Sequence, residues 1–82
     1  MNQPLAYVHP GAKIAQNVVI EPFTTINNDV VIGEGAIVLA QSGIAKSLEG
    51  GKTYFGSPCG EVRVKWREIA ALRKLPEIMD NL

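Results

Sequence analysis

The stretch VHPGAKIAQNVVIEPFTTINNDVVIGEGAIVLAQSGI, residues 8–44, decides the fold because a branched aliphatic residue returns in it at every sixth position. The residues in this phase are Val8, Ile14, Ile20, Ile26, Ile32, Val38 and Ile44. A helix turns about 100° per residue, so a six-residue step would scatter these side chains around its axis. One continuous strand of about forty residues is far too long. The stretch therefore predicts short strands joined by corners.

The residues around each aliphatic position support this interpretation. Residues i−2 and i of a strand point to the same side, and the i−2 positions here are small or β-branched: Ala12, Val18, Thr24, Val30, Ala36 and Ser42. Turn-forming residues lie between the strands: His9-Pro10-Gly11, Glu21-Pro22-Phe23, Asn27-Asn28-Asp29 and Gly33-Glu34-Gly35, with Ala15-Gln16-Asn17 and Leu39-Ala40-Gln41 as weaker corners. Three such sides close a coil of eighteen residues. The repeat predicts an all-β fold, a parallel β-helix of about two to three coils.

So short a stack of coils favours association between copies. The chain has 82 residues and one cysteine, so a disulfide framework cannot supplement its small core. The eighteen-residue period places Val19 and Ile37 on one outer wall, which is either a subunit interface or a pair of ordinary exposed aliphatics. We also expect Met1–Leu5 to cover the first coil, because stacked repeats need protected ends.

The sequence divides into a β-helix with an N-terminal cap, residues 1–58, and a short α-helical tail, residues 59–82. The six-residue register fails over Lys46–Gly51, and Lys52–Phe55 can add one last strand. Val62, Trp66, Ile69 and Leu72 then recur at helical spacing, with Glu61 in the first turn and Arg73 and Lys74 in the last. We expect Pro76 to end or kink this helix.

Charge and hydropathy exclude several classes of protein. Eight basic and eight acidic side chains give zero net charge, which argues against nucleic-acid binding. No apolar run is long enough to span a bilayer and no signal pattern is present, so we expect a cytoplasmic protein. The tail is locally basic, which suits either an acidic partner or a solvated helix face; its basic residues are Arg63, Lys65, Arg67, Arg73 and Lys74.

The residues capable of chemistry form no evident site. His9 is the single histidine and lies in a corner, without a second titrating group nearby in sequence. Cys59 is a lone thiol that reads better as a small passive residue. Gly33-Glu34-Gly35 lacks the helix that a phosphate-binding loop requires, and Asp29 and Glu34 lie on different corners. We predict no catalytic, cofactor-binding or metal-ligating residue.

Two segments of the chain resemble enzymes of one pathway. VHPGAKIAQNVVIEPFTTINNDVVIGEG, residues 8–35, resembles the opening coils of the UDP-N-acetylglucosamine O-acyltransferases that begin lipid A synthesis. AIVLAQSGIAKSLEGGKTYFGSP, residues 36–58, and REIAALRKLPEI, residues 67–78, are similar to the end of the UDP-3-O-acylglucosamine N-acyltransferases. Both families are homotrimers of left-handed parallel β-helices that use acyl carrier protein as donor, so the resemblance implies that handedness and assembly here.

The resemblance also implies a loss of activity. In both families the catalytic histidine lies in middle coils that the join near Gly35-Ala36 skips. We therefore expect a minimal trimeric scaffold, engineered or truncated as a chimera of the two families, without acyl transfer activity. The alternative is an acyltransferase of lipid A biosynthesis that acts on a UDP-glucosamine derivative around His9. A third possibility is weak binding of acyl carrier protein through the basic tail.

Overall fold

The computed structural model describes residues 5–82, which contain nine short strands and one α-helix. The first seven strands begin at every sixth residue, as the repeat predicts. The elements are β1 (Tyr7–Val8), β2 (Lys13–Ile14), β3 (Val19–Ile20), β4 (Thr25–Ile26), β5 (Val31–Ile32), β6 (Ile37–Val38), β7 (Gly43–Ile44), β8 (Thr53–Phe55), β9 (Gly60–Glu61) and α1 (Val62–Asp80).

The strands form three sheets, one for each side of the coil. Their orders are β1-β4-β7, β2-β5 and β3-β6-β8-β9, and every pairing except that of β8 with β9 is parallel. Ile26 pairs with Val8 below it and with Ile44 above it, each eighteen residues away. This register confirms the predicted stacking, and the architecture is a parallel β-helix with a C-terminal helix.

The predicted inward positions form the core. Ile26, Ile32 and Val38 are completely buried and pack in one apolar cluster along the coil axis. Thr24 and Ser42 are also buried, and both hydroxyls donate to the carbonyl of Leu39, at 3.3 and 2.6 Å. No buried side-chain nitrogen or oxygen in residues 5–82 lacks a hydrogen-bond partner, so these small polar residues cost the core little.

Five of the six corners share one backbone conformation. Each of these five places its third residue in the left-handed region, and these residues are Asn17, Phe23, Asp29, Gly35 and Gln41, with φ between 60° and 77°. The two corners that looked weak in sequence therefore turn like the others. Corners in successive coils are also joined, since the Gly35 amide donates to the Gln16 carbonyl at 3.2 Å.

The third coil is two residues shorter than the others. Leu48 forms an isolated parallel bridge with Ile32, and Tyr54 pairs with Val38, in both cases sixteen residues apart instead of eighteen. The predicted failure of the six-residue register over Lys46–Gly51 is therefore observed, but Leu48 within this segment still pairs with the coil below. A slip of two residues preserves the side to which side chains point, so Leu48 and Tyr54 still face inward.

Tyr54 replaces an aliphatic residue at the end of the core. Its phenol donates to the Glu49 carbonyl at 2.8 Å, so the polar end of the side chain is satisfied where the loop crosses it. Burial raises the pKa of the Tyr54 phenol. The predicted last strand, Lys52–Phe55, is observed as β8.

A hairpin closes the upper end of the β-helix. β8 turns through Gly56–Cys59, with a cis peptide between Ser57 and Pro58, and returns as the antiparallel strand β9. In the same turn the Gly43 amide donates to the Gly56 carbonyl at 3.0 Å, which satisfies the edge of β7. The predicted cover of the lower end falls mostly on Met1–Pro4, which lie outside the described residues.

The helix differs from its prediction in extent. Pro76 does not end it, because α1 continues to Asp80 with Pro76 inside. Glu61 is the N-cap and not a first-turn residue, and its side chain makes no capping hydrogen bond. Arg73 and Lys74 lie well before the last turn, which contains no basic residue. The first turn has no acidic residue and the last turn has no basic one, so the charges of α1 do not favour its dipole. Interaction with the dipole therefore does not account for where the basic residues lie.

Candidate functional site

The hydrogen bonding of the His9 ring is unsuited to a general base. Its Nδ1 accepts a hydrogen bond from the Gly11 amide at 3.0 Å. In the neutral ring the proton is then on Nε2, and the single lone pair is already engaged. The ring meets Tyr7 edge-on, with centroids 6.4 Å apart. Thus the corner role predicted for His9 agrees with its contacts.

Cys59 lines a cleft between the last coil and the start of α1. The cleft has a volume of about 360 Å³, and its walls include Lys46, Ser47, Cys59, Lys65 and Glu68. Burial raises the pKa of the Cys59 thiol, and the nearby Lys65 ammonium opposes this only in part. Lys65 is engaged with Glu68 at 3.6 Å. The thiol is therefore shifted away from the reactive thiolate, as expected for a passive residue.

An apolar wall covers the outer side of the β3-β6-β8 sheet. Val19 pairs with Ile37, and both are exposed, at 50% and 36%. This confirms that the two aliphatics share a wall. Ile37 pairs in turn with Thr53, and Phe55 follows on the same side of β8. Phe55 also lines a shallow cleft with residues of α1, namely Trp66, Ile69, Ala70 and Arg73. The wall therefore continues onto the helix.

The helix presents a broad apolar face that nothing in residues 5–82 covers. Among the strands it contacts only β8 and β9, and none of its residues is buried. Leu72, Leu75 and Met79 follow steps of three and four residues and are 65%, 44% and 59% exposed. If Leu72, Leu75 and Met79 are assigned to heptad positions a, d and a, the flanking e and g positions are also apolar. These positions hold Ile69, Ala71, Pro76 and Ile78. An apolar face wider than two positions per heptad is typical of a helix inside a bundle.

A line of basic residues runs along a different side of α1. Arg63, Arg67 and Lys74 are separated by four and seven residues, so they project in nearly the same direction. The ion pairs within residues 5–82 are Lys52–Glu49 and Lys65–Glu68, so these three cations have no acidic partner in that part of the chain. All three are exposed. We call this set the basic line.

The acidic side chains do not combine into a site. Asp29 and Glu34 lie on separate corners, as predicted. Within residues 5–82, no group of three or more His, Cys, Asp or Glu side chains is arranged to hold a metal ion. The helix in this part of the chain is too polar to cross a membrane.

Comparison with known proteins adds a family relation to this geometry. Residues 11–46, less than half of the chain, match the family model described as bacterial transferase hexapeptide (six repeats). No curated protein and no solved structure matches the chain. The match supports a relation to left-handed, acyltransferase-like β-helices, and it coincides with the strands that form the coils.

Sequence reasoning missed the most extensive functional feature, the broad apolar face of α1. The prediction that Pro76 ends or kinks the helix hid this face, because Leu72, Leu75 and Met79 form one stripe only if the helix continues past the proline. The available signal was the spacing itself, which continues unchanged across position 76.

Proposed function

We propose that this chain is a self-assembling trimeric β-helix scaffold related to the hexapeptide acyltransferases, without acyl transfer activity of its own. The observation that carries the proposal is the unburied apolar face of α1, with Leu72, Leu75 and Met79 each 44% or more exposed. Most of the stability of a helix in a protein comes from packing of its apolar face. Association of three copies along this face supplies that packing.

The apolar wall and the family relation support the same assembly. Val19, Ile37 and Phe55 lead from the coils toward the base of α1, so one interface can include both elements. Proteins built on this repeat commonly form trimers. The finer relation to the lipid A acyltransferases, as a chimera of two families, is supported by the sequence resemblance of residues 8–35 and 36–58.

The geometry of His9 supports the absence of acyl transfer. A general base in this chemistry must take a proton from a sugar hydroxyl or amine, and it is usually oriented by an acceptor on its other nitrogen. His9 has the reverse arrangement, because its Nδ1 lone pair receives the Gly11 amide. It is also the single histidine of the chain.

One preparation of the purified chain tests both parts of the proposal. Sedimentation equilibrium at micromolar concentration should give three times the 8.8 kDa chain mass. The same sample, given acyl carrier protein thioester and a UDP-glucosamine acceptor, should release thiol no faster than a protein-free blank. A monomer would contradict the scaffold. Turnover that disappears in His9→Ala would instead establish the enzyme alternative.

We further propose that the basic line binds an acidic protein such as acyl carrier protein. Support comes from two features of α1: Arg63, Arg67 and Lys74 are unpaired, and cations early in the helix oppose its dipole. Such an arrangement costs helix stability unless an anionic surface compensates for it. The heptad frame also places the basic line away from Leu72, Leu75 and Met79, so assembly leaves it accessible.

Titration of the chain with acyl carrier protein tests this binding. Arg67→Glu with Lys74→Glu should weaken the complex about tenfold or more at low salt, and added salt should weaken the parent complex as well. Lys13→Glu with Lys46→Glu is the matched control, because it makes the same change in net charge on the β-helix. Equal weakening by both pairs, or no binding at low salt, would refute a specific basic line.

A further inference from the structure

Phe23 occupies a backbone conformation that disfavours its side chain. Its φ is +63°, in the left-handed region, where the equivalent corners hold Asn17, Asp29, Gly35 and Gln41. Asparagine, aspartate and glycine tolerate this region, whereas a bulky aromatic residue is strained in it. The ring is 63% exposed and is not part of the core cluster. Within the chain, Phe23 therefore combines strain with little burial.

The corner that carries Phe23 borders the apolar wall. It follows β3 directly, and Val19 of β3 faces outward on that wall. The Phe23 amide donates to the Leu5 carbonyl at 3.0 Å, and the Gln41 amide donates to the Pro22 carbonyl at 3.2 Å. These bonds stack the corners of successive coils into one ridge. Leu5 is 59% exposed, so the lower part of the ridge is apolar.

A projecting ring beside a flat wall is suited to a cyclic assembly. In a three-fold ring each copy uses two different patches, one that inserts and one that receives. The receiving wall carries Val19, Ile37 and Thr53, all uncharged, which matches a neutral aromatic ring. Aromatic side chains dominate the binding energy of many interfaces when they enter such surfaces.

We propose that Phe23 is the aromatic anchor between copies of this chain, inserting its ring against the apolar wall of the neighbouring copy. This inference rests on the proposed trimer and specifies how its β-helices meet. The strained backbone is retained because asparagine or glycine at the corner would turn equally well but would give no contact to the neighbour.

The test uses substitutions that improve the backbone while removing the ring. Phe23→Asn places a residue suited to φ +63° at the corner, so the coil should fold as before. Sedimentation should nevertheless show dissociation of the trimer at concentrations at least tenfold higher than for the parent chain. Phe23→Tyr retains the ring and should restore the parent behaviour. Gln41→Asn makes a similar backbone change on the same ridge and should leave association unchanged.

The outcomes separate this inference from the proposed function. A parent trimer with unchanged association in Phe23→Asn would overturn the anchor and leave the scaffold intact. Equal weakening of the trimer by Gln41→Asn would also overturn it, because association would then depend on the backbone of the ridge and not on the Phe23 ring. A monomeric parent chain would refute the trimer itself, and the anchor with it.

Discussion

Substitution of Gly33 by alanine should destabilise the third coil by about 3 kcal/mol, at the upper end of the usual cost of overpacking. A β-carbon at this position would overlap the Gly50 amide nitrogen and lie 2.8 Å from Gly50 Cα. Both contacts are with backbone, so no side chain can rotate away. The loop that carries Leu48 must then move off the core. Urea unfolding followed by far-UV circular dichroism, at one fixed protein concentration, measures the loss.

Gly51→Ala is the control for this substitution. Gly51 has φ +75°, so alanine there is strained, but an added β-carbon has no neighbour within 4 Å. Its cost should be about 1 kcal/mol, from the left-handed conformation alone. If Gly33→Ala cost no more than Gly51→Ala, the close approach of the two glycine backbones would have no energetic importance.

The coils could be predicted because each repeat carries its own information. Ile26 faces the core for the same reason as Ile44, namely its place three residues after the last residue of a corner in an unbroken six-residue phase. A one-residue shift of the repeat would turn every later side chain to the other side of its strand, so the six-residue spacing is strongly constrained. The same eighteen-residue period places Val19 and Ile37 together on the outer wall.

The third coil could not be predicted because its length depends on tertiary contacts. Leu48 comes only four residues after Ile44. It faces inward because its amide donates to the Val31 carbonyl and its carbonyl accepts from the Gly33 amide, both at 2.9 Å, which pairs it with Ile32. The glycines at positions 33 and 50 allow this loop to lie close to the coil below. Neither fact follows from local propensity.

The uninterrupted course of α1 through Pro76 is not predicted by proline propensity, which favours an end or a kink there. Pro76 removes one backbone donor and favours a break, but the apolar spacing of Leu72, Leu75 and Met79 continues through it. The helix therefore projects a long apolar face that nothing in residues 5–82 covers. Local propensity and spacing identify such a face but do not identify what packs against it.

Replacement of Leu75 by glutamate should abolish the trimer at micromolar concentration. Leu75 lies at the centre of the apolar face of α1, 44% exposed in the single chain, and assembly would bury it. A carboxylate there would be desolvated without a partner in all three copies, at a cost of several kcal/mol per trimer. Sedimentation should show monomers, and far-UV circular dichroism should show loss of helix, because most of the stability of a helix in a protein comes from packing of its apolar face.

Lys74→Glu is the matched control, since it introduces the same residue one position away, on the basic line. It should leave both the trimer and the helix signal unchanged. A Leu75→Glu chain that stayed trimeric would show that the coils assemble without the helices, and the apolar face of α1 would then need another partner. A monomeric Leu75→Glu chain with full helix content would show instead that α1 is stable alone and that packing between helices serves assembly only.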